Sequence, residues 1–366
     1  MKNTLGNRLT VTLFGESHGP LVGAVVDGLT PGMTVDTDRI SDMLAKRRPS
    51  GQISTARAEK DEFVIQSGVF EGKTTGSPLC ILIPNTDTRS KDYGKTKDLA
   101  RPSHADYTAN CKYHGYEDYR GGGHFSGRIT AALVAVGGIL MPTLEAMGIR
   151  IGTHIKSCAG ISDRAFADYE KDIALLSTLE FATLDENAGE EMKKKILEAK
   201  SEGDSVGGTL ETVITGLEAG LGEPWFDTVE GMLSHALFSI PAVKGVEFGA
   251  GFSLSSMRGS LANDPFAVEC GRVITKTNNS GGINGGITNG MPVTFSTAIR
   301  PTPTIIKEQD TIDMTKKENA KISPVGRHDP CIVHRARIVV DSVAAIVVAD
   351  LLAERYGDDW AKVGGR

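Results

Sequence analysis

Aromatic side chains are scarce in this chain of 366 residues: Phe, Trp and Tyr make up 6% of it. That excludes a stacking platform for single-stranded nucleic acid. Charge of one sign is not in large excess either. There are 40 Lys and Arg against 46 Asp and Glu, a formal net charge of −6, so the basic footprint of a general nucleic-acid binder is missing. Cysteine is sparse as well. Cys80, Cys111, Cys158, Cys270 and Cys331 are odd in number, far apart and without a Cys-x-x-Cys pair. Neither a disulfide framework nor a zinc site follows from such spacing, and a reducing cytoplasm is the expected home. After Lys2 the chain continues Asn3-Thr4-Leu5-Gly6-Asn7, with no apolar core of a signal peptide. The most apolar stretch, 129–141, falls short of the ~18 residues of a membrane span. It contains Thr130 and Gly137-Gly138, ends at Pro142, and predicts a buried helix.

Glycine is abundant: 43 of 366 residues, against about 7% in an average protein. No Gly-X-Y period is present, so the excess serves turns and close backbone approaches. Apolar content of 40% and charged content of 23% describe a globular chain and exclude a disordered one. Strand-like runs occupy 9–14, 22–26, 62–66, 79–83, 207–214 and 293–299. In 38–48, Ile40, Met43, Leu44 and Arg47 share one helical face, with Asp36 or Thr37 as the cap. Phe226, Val229, Leu233 and Leu237 are spaced as one face of a helix over 226–240, and 343–352 reads as a buried helix. Strands joined by short turns and mixed with helices predict an α+β fold. No linker divides the chain and no exact short repeat occurs, so 1–366 is expected to be one large domain.

Charge is unevenly placed. Residues 161–204 hold twelve acids and six bases, which accounts for the whole net charge and predicts solvated helix and loop. Two basic stretches stand against it: 39–60, with Arg39, Lys46, Arg47, Arg48, Arg57 and Lys60, and 89–112. On an otherwise acidic chain these suit a pocket for a small polyanion, although Lys46-Arg47-Arg48 equally suits a helix C-terminus. The Gly68-Val69-Phe70-Glu71-Gly72-Lys73-Thr74 run has three residues between its glycines where a P-loop has four, and predicts a hairpin.

Five loops combine glycine with histidine, arginine or serine, the usual equipment of function carried on a rigid scaffold. They are Gly15-Glu16-Ser17-His18-Gly19-Pro20, Lys46-Arg47-Arg48-Pro49 and Arg101-Pro102-Ser103-His104-Ala105-Asp106. The others are Tyr119-Arg120-Gly121-Gly122-Gly123-His124-Phe125-Ser126-Gly127-Arg128 and Gly326-Arg327-His328-Asp329-Pro330-Cys331. Taken singly, each also has a structural reading, and a triple glycine before a helix serves close packing as readily as phosphate binding.

Together these loops resemble the chorismate synthase family. The first, fourth and fifth are its three signature regions, in the family's order, and the likeness runs from Leu5 to about Leu352. Further matches are 69–76, Asn85-Thr86-Asp87, His104-Ala105-Asp106-Tyr107, Glu202-Gly203-Asp204-Ser205, Gly220-Leu221-Gly222-Glu223-Pro224 and Val243-Lys244-Gly245-Val246-Glu247. The resemblance implies a β-α-β sandwich with an internal pseudo-repeat, usually assembled as a homotetramer. It implies a 1,4-anti elimination of phosphate from 5-enolpyruvylshikimate 3-phosphate to give chorismate, requiring reduced FMN (FMNH2) with no net redox change.

By the same resemblance Arg47, Arg48, Arg101, Arg128 and Arg327 would clamp the phosphate and two carboxylates of the substrate, as guanidiniums do. His18 would serve the departing phosphate, and His104 the anionic reduced flavin. Asp329, with Ser17 and Ser126, would relay a proton near flavin N5. FMN contacts would come from His124, Phe125, Ser126, Pro241, Ala242, Gly285, Arg300, Pro301, Thr302, Pro303, Thr304 and Arg327. Arg300 stands at a commonly lysine position.

Three positions depart from the pattern. The fourth loop reads His124-Phe125-Ser126-Gly127-Arg128 where members commonly have Arg-Ser-Ser-Ala-Arg. Ile53 replaces an arginine, which removes a side chain suited to an anion or nicotinamide-nucleotide (NADP) contact. Asp341 stands in place of glutamate and predicts an N-cap for the last helix. From the loops alone, a non-catalytic anion-binding protein stays open. A flavin oxidoreductase is opposed by the lack of a Gly-x-Gly-x-x-Gly fingerprint.

Overall fold

The computed structural model describes residues 2–49, 51–55, 60–86, 97–323 and 329–365. In chain order the first half runs β1 (Thr4–Leu5), β2 (Thr10–Gly15), β3 (Leu21–Asp27), α1 (Thr37–Arg47), β4 (Val64–Ser67), the hairpin β5 (Val69–Phe70) and β6 (Lys73–Thr74), β7 (Leu79–Pro84), α2 (Asp106–Tyr113) and α3 (Thr130–Ala146). The second half opens with β8 (Arg150–Cys158), β9 (Ile161–Ser162), α4 (Tyr169–Thr178), α5 (Glu186–Ser201), β10 (Gly208–Thr215), α6 (Val229–Leu237) and β11 (Val243–Phe248). It continues with α7 (Gly259–Ala262), the hairpins β12 (Phe266–Glu269)–β13 (Arg272–Thr275) and β14 (Ile283–Asn284)–β15 (Ile287–Thr288), then β16 (Val293–Ile299), the hairpin β17 (Gln309–Asp313)–β18 (Glu318–Ile322) and α8 (Val333–Tyr356).

Two five-stranded antiparallel sheets enclose the long helices. One has the order β1-β2-β3-β7-β4 and the other β11-β16-β10-β8-β9. Helix α3 packs on β3 and β7, α8 on β8 and β10, and the two helices pack on each other. The expected pseudo-repeat is explicit in this topology. The units β2-β3-α1-β4-β7-α3 and β8-β10-α6-β11-β16-α8 each place their four strands in the order first, second, fourth, third. One contiguous core runs from Leu9 to Trp360.

Local chemistry explains the elements. Asp36 caps α1 by accepting from the backbone N–H groups of Asp38 and Arg39, and Lys46 and Arg47 complement its last turn. Along β7, Leu79, Ile81 and Ile83 alternate into the core. In α3 the glycine pair is a packing device. A Cβ on Gly137 would meet Ser342 Cβ of α8 at 2.5 Å, and one on Gly138 would meet Ile40 Cα of α1 at 2.9 Å. The helical stretch Gly127–Ala146 is long and apolar enough to cross a membrane, yet 78% of its apolar window is buried within the protein.

Several sequence expectations are corrected. The helix expected over 226–240 begins at Val229, because Thr228 caps it by accepting from Gly231 N. Phe226 therefore lies in a preceding 3-10 turn and is 93% exposed. The buried helix expected over 343–352 is part of the 24-residue α8. Asp341 is inside that helix, fully buried, and takes a 2.5 Å bond from Thr153 Oγ1; it is not an N-cap. Strands β8 and β11 carry polar residues among their apolar ones and have no counterpart in the expectation.

Candidate active site

Two connections at matching places in the repeat, 85–129 from β7 to α3 and 300–332 from β16 to α8, interlock. Ala100 N donates to Ile312 O at 3.2 Å, Leu99 bridges to Asp313, and Thr315 Oγ1 donates to Asp98 Oδ1 at 3.1 Å. The turn between β2 and β3 docks on the first of them, with Asn85 Nδ2 donating to the carbonyls of Glu16 (2.9 Å) and Gly19 (2.8 Å) and Ser17 N donating to Gly123 O at 3.1 Å.

In that turn Ser17 and His18 are buried. Ser17 Oγ lies 3.1 Å from His18 Nδ1 and 3.2 Å from the carbonyls of both Arg120 and Gly121. The triple glycine wraps over this pair with φ of 59°, 84° and 52° at Gly121, Gly122 and Gly123. Three consecutive left-handed residues require glycine. Space requires it too, since a Cβ on Gly121 would stand 2.2 Å from His18 Cε1. His104, half-buried at the start of α2, places Nε2 2.6 Å from Thr304 Oγ1. Beside it Arg300 Nη2 donates to Ser103 O at 2.6 Å, and Arg300 N to Ala242 O at 3.0 Å. Residues 101–104, 242 and 300–304 thus form one neighbourhood.

Carboxylates aim the arginines. Buried Asp61, held at a left-handed φ of 52°, accepts from Nη1 of Arg47 (3.1 Å) and from Nη1 of Arg128. Arg47 also donates to Thr130 Oγ1 (3.0 Å) and Gly127 O (3.1 Å), and Arg128 to Asn85 Oδ1 (2.8 Å) and Pro84 O (3.0 Å). Arg101 grips Asp106 through Nε (2.8 Å) and Nη2 (2.7 Å). Burial pushes the Asp106 carboxyl up, and the Arg101 bonds more than offset it, holding the group below its usual range. Arg120 forms the same fork with Asp118, whose carboxyl is held low chiefly by that guanidinium. Arg48 Nε is buried and lacks a partner among the described residues.

Other expected residues fall outside this cluster or have other partners. Asp329 accepts from Thr55 N at 2.9 Å and from Arg335 Nη2, beside the loop that follows α1. Gly285 tips the β14–β15 hairpin next to the start of α6, where Gly286 O receives Val229 N, whereas Pro241 and Ala242 follow the other end of that helix. The departures in the glycine loop have internal partners: His124 Nδ1 contacts Gly15 O at 2.8 Å, and Phe125 meets the Tyr113 ring edge-on at 5.9 Å. Ser126 Oγ accepts from Arg128 N at 3.2 Å, and Ile53 packs against the core. Arg327 lies outside the described residues. Sequence reasoning assigned no role to Asp61 or Asp118, or to Asp106 as the partner of Arg101. Asp118 lies two residues from Arg120 and Asp106 five from Arg101, so both carried a local signal, whereas Asp61 did not.

The 300–304 segment could hold a phosphorylated, polar cofactor. Arg300 Nε and Thr302 Oγ1 are buried there without hydrogen-bond partners among the described residues. Such groups cost stability unless something pairs with them. The described residues contain no cluster of His, Cys, Asp or Glu suited to a metal ion.

Comparison with known proteins places the whole chain. The profile of the chorismate synthase family matches residues 9–353. Chorismate synthase from Thermococcus gammatolerans is 46% identical over 350 residues, covering 96% of this chain and 97% of that one. The enzyme of that name from Dehalococcoides mccartyi (strain BAV1) is 44% identical over 353 residues, 96% of each chain. A crystal structure of chorismate synthase is similar with a TM-score of 0.77 at 30% identity, covering 98% of this chain and 96% of that one. Matched along almost its whole length in both sequence and fold, the chain belongs to the chorismate synthase family of lyases.

Proposed function

We propose that the chain converts 5-enolpyruvylshikimate 3-phosphate to chorismate by 1,4-anti elimination of phosphate, in the pathway to the aromatic amino acids, with reduced FMN required and not consumed. The observation that supports this most is the packing of the first of the two interlocked connections on the β2–β3 turn. It gathers two histidines and several carboxylate-aimed arginines around glycine backbone.

A substrate with one phosphate and two carboxylates needs guanidiniums of fixed orientation. Asp61 fixes Arg47 and Arg128, and Asp106 fixes Arg101. Arg48 and Arg327 complete the proposed anion set. His18, steadied by Ser17 and by the backbone of Gly121, gives a proton to the departing phosphate. His104, held at Nε2 by Thr304, presents its ring beside 300–304, where Arg300 and Thr302 offer the unpaired donors suited to FMN. His124, Phe125, Ser126, Pro241, Ala242, Gly285, Pro301, Pro303 and Arg327 are the further proposed flavin contacts. When bound, the reduced flavin supplies transient electron density that expels phosphate and is recovered afterwards. Asp329, Ser17 and Ser126 carry the proton taken from the substrate. We assign the chain one domain from the lack of a dividing linker, the cytoplasm from its cysteine usage and a homotetramer from the family resemblance, with no nucleic-acid or membrane partner.

An anaerobic assay with FMN, dithionite and 5-enolpyruvylshikimate 3-phosphate tests the reading by following chorismate and phosphate together. Equal yields, many turnovers per flavin and none with oxidised FMN are expected. Binding of FMN without product would refute the proposed reaction.

A further inference from the structure

Two cysteines that sequence spacing leaves unrelated meet in the core. Cys158 Sγ and Cys331 Sγ are 3.7 Å apart across 173 residues, with the side chains 1% and 0% exposed. Both stand on fixed backbone. Cys158 ends β8 and pairs with Gly208 of β10 and Ile161 of β9, while Pro330 O receives Val206 N at 2.8 Å. Cys331 lies two residues after Asp329 and two before α8. We infer that Cys158 and Cys331 are a redox-modification site, closed to a disulfide by a small peroxide, which ties the Asp329 segment to the end of β8.

The sulfurs need to approach to about 2.05 Å, a closure of less than 2 Å. The surroundings assign the steps. The hydrogen bond from Cys331 holds the Cys158 thiol below its usual range, which favours its thiolate as the first nucleophile. That bond and burial push the Cys331 thiol well up. His334, the buried second residue of α8, opposes the rise; its Nε2 contacts Ser54 Oγ at 2.8 Å, and its Nδ1 has no hydrogen-bond partner among the described residues. Cys158 thiolate attacks one oxygen of hydrogen peroxide. The O–O bond breaks, sulfur is oxidised to the sulfenic acid, and the released hydroxide takes a proton to become water. His334 Nδ1 then accepts the Cys331 proton, and the Cys331 thiolate attacks the sulfenic sulfur. An S–S bond forms, and hydroxide leaves as a second water with the proton from His334. Two thiols and one peroxide give one disulfide and two waters. Burial of both sulfurs selects an oxidant as small as peroxide. A shift of the segment carrying Asp329 slows turnover, a consequence that rests on the role proposed for Asp329.

The test exposes the folded, full-length chain to limiting hydrogen peroxide and maps peptides by mass spectrometry without reduction. A Cys158–Cys331 cross-linked pair is expected, two hydrogens lighter than the separate peptides and reversed by dithiothreitol. It is expected to be absent from Cys158→Ser with circular dichroism unchanged; if that variant does not fold, the map of the unaltered chain still decides. Separate Cys158 and Cys331 thiols after exposed Cys111 and Cys270 have been oxidised would overturn the site. At least a tenfold loss of chorismate formation is expected to accompany the cross-link and to recover on reduction. Cross-linking with unchanged turnover overturns the coupling to Asp329. A reduced chain that makes no chorismate refutes the proposed reaction and leaves the disulfide result standing.

Discussion

Replacing His154 with glutamine removes a buried cation from between two carboxylates. The side chain is fully buried on β8, with Nδ1 2.7 Å from Asp163 Oδ2 and Nε2 3.0 Å from Glu211 Oε2. Ionised carboxylates only accept, so both ring nitrogens must donate, and only the imidazolium has two N–H groups. Burial lowers the pKa, but the bonds to Asp163 and Glu211 outweigh it and leave it raised above 6.5. Without the ring, Asp163 keeps the N–H groups of Leu184 (2.6 Å) and Asp185 (2.8 Å), and Glu211 keeps Lys156 at 3.3 Å. Breaking a buried pair costs about 3–5 kcal/mol. Those remaining partners place this case near ~3 kcal/mol, which is about 4 °C in Tm for a chain of this length. The pH dependence carries the decisive sign. A raised histidine pKa stabilises fully below about pH 6.5 and loses that contribution as pH rises through the folded value. Calorimetry of both proteins across this range is therefore expected to show the widest Tm gap at acid pH and a closing gap toward alkaline pH. A gap that stays constant or widens toward alkaline pH would refute a cationic His154.

Asp341, pushed up to about 6 by burial, holds its proton in the folded state at pH values where the unfolded chain has released it. Stability from this group therefore falls, by roughly 3 kcal/mol, as pH rises from about 4 to 6. Asp341→Asn, still facing Thr153, Arg337, Lys46 and Arg39, is expected to lack that slope in urea denaturation. Gly121→Ala drives a methyl into His18 and is expected to cut chorismate formation about 100-fold while the melting transition stays cooperative. Thr304→Val removes the oxygen beside His104 Nε2 and is expected to lower kcat about tenfold, with a shifted pH profile; Thr304→Ser is expected to restore both.

What the sequence disclosed depended on whether the cause was local. An apolar run bounded by turns exposed β7, and spacing exposed the buried face of α1. The loops of the site announced themselves by recurrence, five of them combining glycine with histidine, arginine or serine, where the triple glycine alone suited close packing as readily. Strand β8 did not, since its polar residues are matched across the sheet: His154 stands opposite Glu211, and Thr153 opposite Thr212. Phe226 fitted a helical face by spacing, but the Thr228 cap sets the start of α6 and leaves the ring outside. Asp341 has the residue type of a cap and the environment of a core, and only its contact with Thr153 distinguishes them. Asp61 joins Arg47 to Arg128 across separations of 14 and 67 residues, beyond any local pattern.

The two six-element units can be regarded as a dimer fused into one polypeptide, with the α3–α8 contact as its former interface. In a dimer of identical chains every substitution is made twice, and a residue useful on one side of the axis is imposed on the other. Fusion removes that constraint. One copy of the long connection carries Arg101, His104, His124 and Arg128, while its counterpart carries Arg300, Thr302, Thr304 and Asp329. Division of labour between the two halves leaves the proposed site asymmetric, as its proposed reactant is.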